Sequence, residues 1–96
     1  MIWPLPSFDC TLAETPTEHA ICSDMALAQL DRRTAEAFQT RLRYEALSSQ
    51  PPKVRAQQQA WLGERDAACA GSAGPALVRC LATQYQARLT KLRSFE

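Results

Sequence analysis

Four cysteines in 96 residues, spaced as Cys10 and Cys22 and then Cys69 and Cys80, constrain this chain more than any other feature. Neither interval has the close Cys-x-x-Cys spacing of a zinc cage, and the lone histidine, His19, does not complete a ligand set. The thiols read as two local disulfides, which implies maturation in an oxidising compartment outside the cytosol. Four cysteines permit three pairings, and spacing alone excludes none of them. Helix periodicity ranks them. The residues before Cys69 and after Cys80 both read as helix, with Ala70-Gly71-Ser72-Ala73-Gly74-Pro75 between, so these two cysteines sit at the mouth of a helical hairpin where a bridge is reachable. Cys10 lies in an irregular lead segment and Cys22 at the end of a short helix, so a bridge there would clamp a segment with little core of its own.

A chain of this length is expected to form one domain, small enough for covalent ties to matter. Aromatics and glycines are scarce while alanine, leucine, glutamine and arginine are common, which favours helices over strands. The expected fold is all-α: a small disulfide-linked bundle of three longer helices plus one short N-terminal helix. Residues 1–14 are expected to form an arm tied by a disulfide, and residues 15–96 the bundle. No apolar run approaches the roughly 18 residues of a membrane span. The start, Met1-Ile2-Trp3-Pro4-Leu5-Pro6, has neither the basic start nor the apolar core of an export signal; the expectation is a signal already removed, with Met1 added for expression, and a periplasmic or secreted protein.

Thr15-Pro16-Thr17-Glu18 is a helix start, with Thr15 as N-cap, Pro16 in the first turn and Glu18 closing a capping box. That helix should end near Cys22, with Ser23 capping the next and Asp24 in its first turn. Leu27, Leu30, Thr34, Phe38 and Leu42 recur at helical steps and predict a second helix from about Asp24 to Leu47, ended by Ser48-Ser49-Gln50-Pro51-Pro52. Pro52 is placed to open a third, reaching about Ala70 with a stripe of Val54, Trp61, Leu62, Arg65 and Cys69. Pro75 is expected to open the fourth, where Leu77, Val78, Leu81, Tyr85, Leu89 and Leu92 face inward to about Arg93, and Arg88, Lys91 and Arg93 suit the negative end of the helix dipole.

The net charge of +1 hides a segregation. Positions 1–31 carry five acids (Asp9, Glu14, Glu18, Asp24 and Asp31) and no lysine or arginine, whereas positions 32–96 carry all eleven bases against five acids. The halves can attract each other as the bundle closes, or the acidic end can steer a cationic partner. Arg32, Arg33, Arg41 and Arg43 form a basic strip on the second helix, but Glu36 and Glu45 interrupt it and no aromatics interleave, so nucleic acid is not expected as a partner.

Ser7-Phe8-Asp9-Cys10, then Thr15 and Glu18-His19-Ala20-Ile21-Cys22-Ser23-Asp24, with Leu27 and Leu30-Asp31, form an ordered set of motifs. Gln58, Trp61-Leu62, Arg65-Asp66 and Cys69 follow, and then Cys80, Tyr85, Arg88 and Leu92. Over roughly Ser7 to Arg93 this set resembles the lysozyme inhibitor LprI-like N-terminal domain family of small secreted bacterial domains. Phe38 stands where such domains often carry tyrosine, which removes any role for a hydroxyl there. The resemblance implies a helical, disulfide-linked, exported domain and, in one branch, inhibition of lysozyme.

Trp61 and Arg65 lie one helical turn apart, and Asp31 on the preceding helix is a plausible partner for Arg65; with Asp66 these read as a structural motif in which a partly buried indole lies beside a helix-crossing ion pair. Of Gln57, Gln58 and Gln59, at most one or two can point inward together. If all four cysteines are oxidised no thiolate remains as nucleophile, and Glu64 and Asp66 would point in different directions on a helix, so neither an enzyme nor a cofactor is expected. The primary reading is an exported inhibitor or immunity-type domain that occludes the cleft of a cationic cell-wall hydrolase such as lysozyme. Asp9, Glu14, Glu18 and Asp24 would supply its charge, and Phe8 and Trp3 its apolar contacts. The alternative is a structural or accessory interaction module of the cell envelope, marked by an exposed apolar patch. Oligomeric state and target are not encoded in any motif.

Overall fold

In the computed structural model, which describes residues 6–48 and 53–94, the chain runs as a 3₁₀ turn at Cys10–Leu12 and helices α1 (Pro16–Ser23), α2 (Met25–Ala46), α3 (Val54–Cys69) and α4 (Gly74–Leu92). The capping box forms as its sequence dictates. The Thr15 side chain accepts from the Glu18 N–H at 3.1 Å, and Glu18 Oε1 accepts in return from the Thr15 N–H at 3.0 Å. The next boundary differs from expectation. Ser23 is the last residue of α1 and Asp24 is the N-cap of α2, its Oδ1 accepting from the Leu27 N–H at 2.9 Å. One residue of extended backbone at Asp24 turns the chain between two helices, and the carboxylate satisfies an amide that the helix start leaves without a partner.

The positions expected to break α2 from α3, Ser49 to Pro52, lie outside the described residues. On either side of them Glu45 makes the connection: its Oε1 accepts from the N–H groups of Lys53 at 2.7 Å and Val54 at 3.0 Å. Lys53 has no capping side chain of its own, so a carboxylate from the end of α2 takes over that role for α3. At the last boundary α4 begins at Gly74, one residue before Pro75, and Gly74 takes a φ of +57°, in the left-handed region that glycine enters without steric cost.

The core is assembled from all four helices: Ile21 from α1, Leu27 from α2, Trp61 and Cys69 from α3, and Leu77, Leu81 and Tyr85 from α4. Phe8, Leu30, Leu62 and Val78 pack against its edge. Each fully buried aliphatic side chain contributes about 1.5–3 kcal/mol relative to exposure. Helix α2 packs most extensively on α4, and α1 and α3 each pack against both. Both bridges form as ranked, Cys10–Cys22 with Cα atoms 5.9 Å apart and Cys69–Cys80 with 5.8 Å, so the first ties the 3₁₀ turn to α1 and the second closes the α3–α4 hairpin. Among the described residues no helix is long and apolar enough to cross a membrane.

Candidate functional site

Charge placed on the rim of the first bridge depends on which acids the fold leaves there. Asp9 caps the 3₁₀ turn, its Oδ1 accepting from the Thr11 N–H at 2.9 Å and the Thr11 hydroxyl at 2.7 Å; these donors hold its pKa below the ordinary aspartate value. Glu18 Oε1 accepts from the N–H groups of Glu14 and Thr15, each at 3.0 Å, and these two amides likewise depress its pKa. Asp24 is held by the Leu27 amide, and Glu14 is exposed on the connection into α1. Each fixed carboxylate engages the backbone through one oxygen. Three of the four acids expected at this edge therefore sit as helix caps, with orientations set by the main chain and not by free rotamers.

The expected apolar contacts are placed differently. Phe8 is half-buried against the core, and Trp3 lies outside the described residues. The side chain that protrudes is Leu12, 71% exposed on the 3₁₀ turn between Asp9 and Glu14. It belongs to no apolar stripe. An unassigned leucine between a cysteine and two acids was the available signal. Met25 is also exposed, at the first position of α2.

The motif residues Asp31, Trp61, Arg65 and Asp66 form a second constellation, deeper in the bundle. Asp31 is only 6% exposed, so the fifth acid of the N-terminal part is removed from the surface. The expected direct pair between Asp31 and Arg65 is relayed through Tyr85. The Tyr85 hydroxyl donates to Asp31 Oδ1 at 2.6 Å and accepts from Arg65 Nη1 at 2.8 Å, while the Ser7 N–H donates to Asp31 Oδ2. Arg65 Nε donates to Asp66 Oδ1 at 2.9 Å, and its guanidinium carbon lies 5.8 Å from the centroids of both the Trp61 and Tyr85 rings. Those rings meet edge to face at 5.1 Å. Trp61, at 7% exposed, is a core residue. Burial, reinforced by the charge of Asp31, pushes the Tyr85 phenol far above its ordinary pKa, so it remains a donor. Helices α2, α3 and α4 thus converge on one buried hydroxyl, and the N-terminal segment joins them through Asp31.

The far end of the bundle is of opposite character. Arg41 bridges Glu45 and the Ser94 carbonyl, and its guanidinium lies 5.8 Å from the centroid of the Tyr44 ring. Leu47 is 90% exposed at the C-cap of α2. Arg88, expected to complement the dipole at the end of α4, is instead buried, with Nε donating to Gln58 Oε1 at 2.8 Å. Of the three consecutive glutamines it is Gln58 that turns inward.

Among the described residues no group of three histidine, cysteine or acidic side chains is arranged to hold a metal ion, and no free cysteine remains. The paired sulfurs mark an extracytoplasmic protein. No curated protein and no solved structure matches the chain. Comparison with protein families matches residues 10–92, from the first cysteine to the last buried leucine of α4, to the family described as Lysozyme inhibitor LprI. The chain therefore belongs to the lysozyme inhibitor LprI family, a family of inhibitors and not of catalysts.

Proposed function

We propose that this chain is a periplasmic or secreted protein-binding domain that inhibits a cationic cell-wall hydrolase of the lysozyme type by occluding its cleft with the edge built around Cys10–Cys22. The observation that carries this reading is the fixing of Asp9, Glu18 and Asp24 by main-chain donors, together with an exposed Leu12 on the segment that the first bridge ties to α1. Carboxylates already held in place lose little conformational freedom on binding, and their field accelerates encounter with a positive rim. Leu12 supplies the desolvated contact that slows release. The test is lysis of a cell-wall suspension by lysozyme at low ionic strength with the protein in molar excess. The rate should fall, and the inhibition should weaken as salt rises. An unchanged rate counts against this target.

A second reading, an accessory interaction module of the cell envelope, draws on the other end of α2, where Leu47 and Tyr44 are exposed beside arginines. Crosslinking in periplasmic extract separates the two. Attachment to a muramidase through the α1 edge supports the first, and attachment to an envelope scaffold through Leu47 supports the second.

A further inference from the structure

We propose that the groove between α3 and α4 binds a small carboxylate ligand, with Arg88 at its floor as the anchoring cation. The groove has a volume of about 610 Å³, within the range of small-molecule sites, and Trp61, Val54 and Leu92 give it an apolar wall. Arg88 is 8% exposed, yet among the described residues its guanidinium makes a single hydrogen bond, from Nε to Gln58 Oε1. A guanidinium carries five N–H donors. Its Nη2 is shielded from solvent and has no acceptor. Buried charge of this kind is retained at a cost unless something pairs with it.

The groove does not supply that partner itself. Glu64 lines it and acts favourably on the Arg88 charge, which burial otherwise disfavours, but Glu64 is exposed and makes no ion pair with Arg88. Lys91 adds a second positive charge at the exposed rim, and Arg41, also part of the lining, is already engaged by Glu45 and the Ser94 carbonyl. An under-used guanidinium, an apolar wall and one opposing carboxylate select a monoanion on an apolar body. A phosphate dianion would need more donors and would be repelled more strongly by Glu64 than a monoanion. The groove shares none of the acids at the first bridge, so this proposal stands or falls independently of the inhibitor reading.

The test titrates the full ¹⁵N-labelled chain with N-acetyl-leucine, its uncharged amide and inorganic phosphate at constant ionic strength. The acid should saturably shift the Trp61 indole N–H and the backbone amides of Arg88 and Lys91. The amide should bind at least about tenfold more weakly, because it loses the charge-assisted contact. Phosphate should bind more weakly than the acid. Arg88→Lys keeps the charge but loses the guanidinium donors and should weaken the acid about fivefold or more. Should that variant not fold, Lys91→Gln, on the exposed rim, should still weaken it about two- to threefold. Equal affinity of acid and amide, tighter binding of phosphate, shifts confined to another surface, or no saturable shift up to about 20 mM acid would overturn the proposal.

Discussion

The Tyr85 hydroxyl lies 2.6 Å from Asp31 Oδ1, a contact across 54 positions of sequence that joins the middle of α4 to the N-terminal part of α2. Around it the other lone pairs and donors are used: Arg65 donates to the same hydroxyl, and the Ser7 amide donates to the other oxygen of Asp31. A buried carboxylate is tolerable here because each of its oxygens accepts a hydrogen bond. Asp31 on α2 and Arg65 on α3 are thus joined through a tyrosine of α4.

Tyr85→Phe removes only the oxygen and keeps the edge-to-face packing on Trp61. It should destabilise the fold by about 1–3 kcal/mol, since Asp31 loses a donor and Arg65 an acceptor, both inside the bundle. Urea unfolding by circular dichroism measures the loss. The variant also reports on pH. The folded pKa of Tyr85 is raised, so the stability tied to its proton is fully present below the unfolded value of about 10 and declines as pH rises above it. The wild-type chain should lose stability above about pH 10, and Tyr85→Phe should lose less over the same interval. An identical alkaline slope in both proteins would show that the phenol does not titrate on unfolding.

The capping carboxylates act at the opposite end of the pH scale. Glu45 is held below its ordinary pKa mainly by the Val54 amide, helped by the Lys53 amide and Arg41, and Glu18 by the amides of Glu14 and Thr15. A depressed folded pKa gives stability that is present above the unfolded value and lost as pH falls through the folded one. Thermal melts should show stability declining below about pH 4.5, the ordinary value for these groups. Glu45→Gln and Glu18→Gln should each flatten that decline while lowering stability at neutral pH. Combining them should flatten it further, because the two caps lie on different helices and share no partner.

The two bridges do different work, and paired serine substitutions separate their roles. Removing either closure should cost about 2–4 kcal/mol in unfolding experiments. Cys10→Ser with Cys22→Ser frees the 3₁₀ turn from α1 and should abolish inhibition of the hydrolase while leaving the helical signal of the folded state nearly unchanged. Cys69→Ser with Cys80→Ser loosens the α3–α4 hairpin and should leave inhibition intact at temperatures where the variant is folded. Equal loss of inhibition in both would remove the edge at the first bridge from consideration.

Local signals accounted for much of this architecture. Thr15-Pro16-Thr17-Glu18 forms its capping box because all its partners lie within one turn, and the apolar stripes of α2 and α4 point inward as their spacing requires. What escaped the sequence was mediated by side chains that reach across breaks. Glu45 caps a helix eight and nine residues ahead of it, where no local signature exists because Lys53 is no cap. Tyr85 was legible as an apolar-face residue but not as the relay between Asp31 and Arg65, since its hydroxyl has meaning only once three helices are packed. Arg88 was assigned to the helix end by its charge, although its step of three from Tyr85 and four to Leu92 already places it on the buried face. Asp24, not Ser23, became the cap of α2 because α1 runs one residue further than its apolar positions require.

Leu12 offers the sharpest test of the binding edge. Because its side chain is 71% exposed and outside the core, Leu12→Ala should change stability by no more than about 0.5 kcal/mol. If it is the desolvated anchor of the complex, the same substitution should weaken hydrolase affinity by roughly tenfold, expressed as faster release at an unchanged association rate. Asp9→Asn should do the reverse. It removes a charge while leaving an oxygen to accept from Thr11, so association should slow and lose part of its salt dependence, with release little altered. Surface plasmon resonance across a salt series reads both quantities at once. A Leu12→Ala protein that binds with wild-type residence time would move the contact surface away from the 3₁₀ turn, whatever the outcome for the acids.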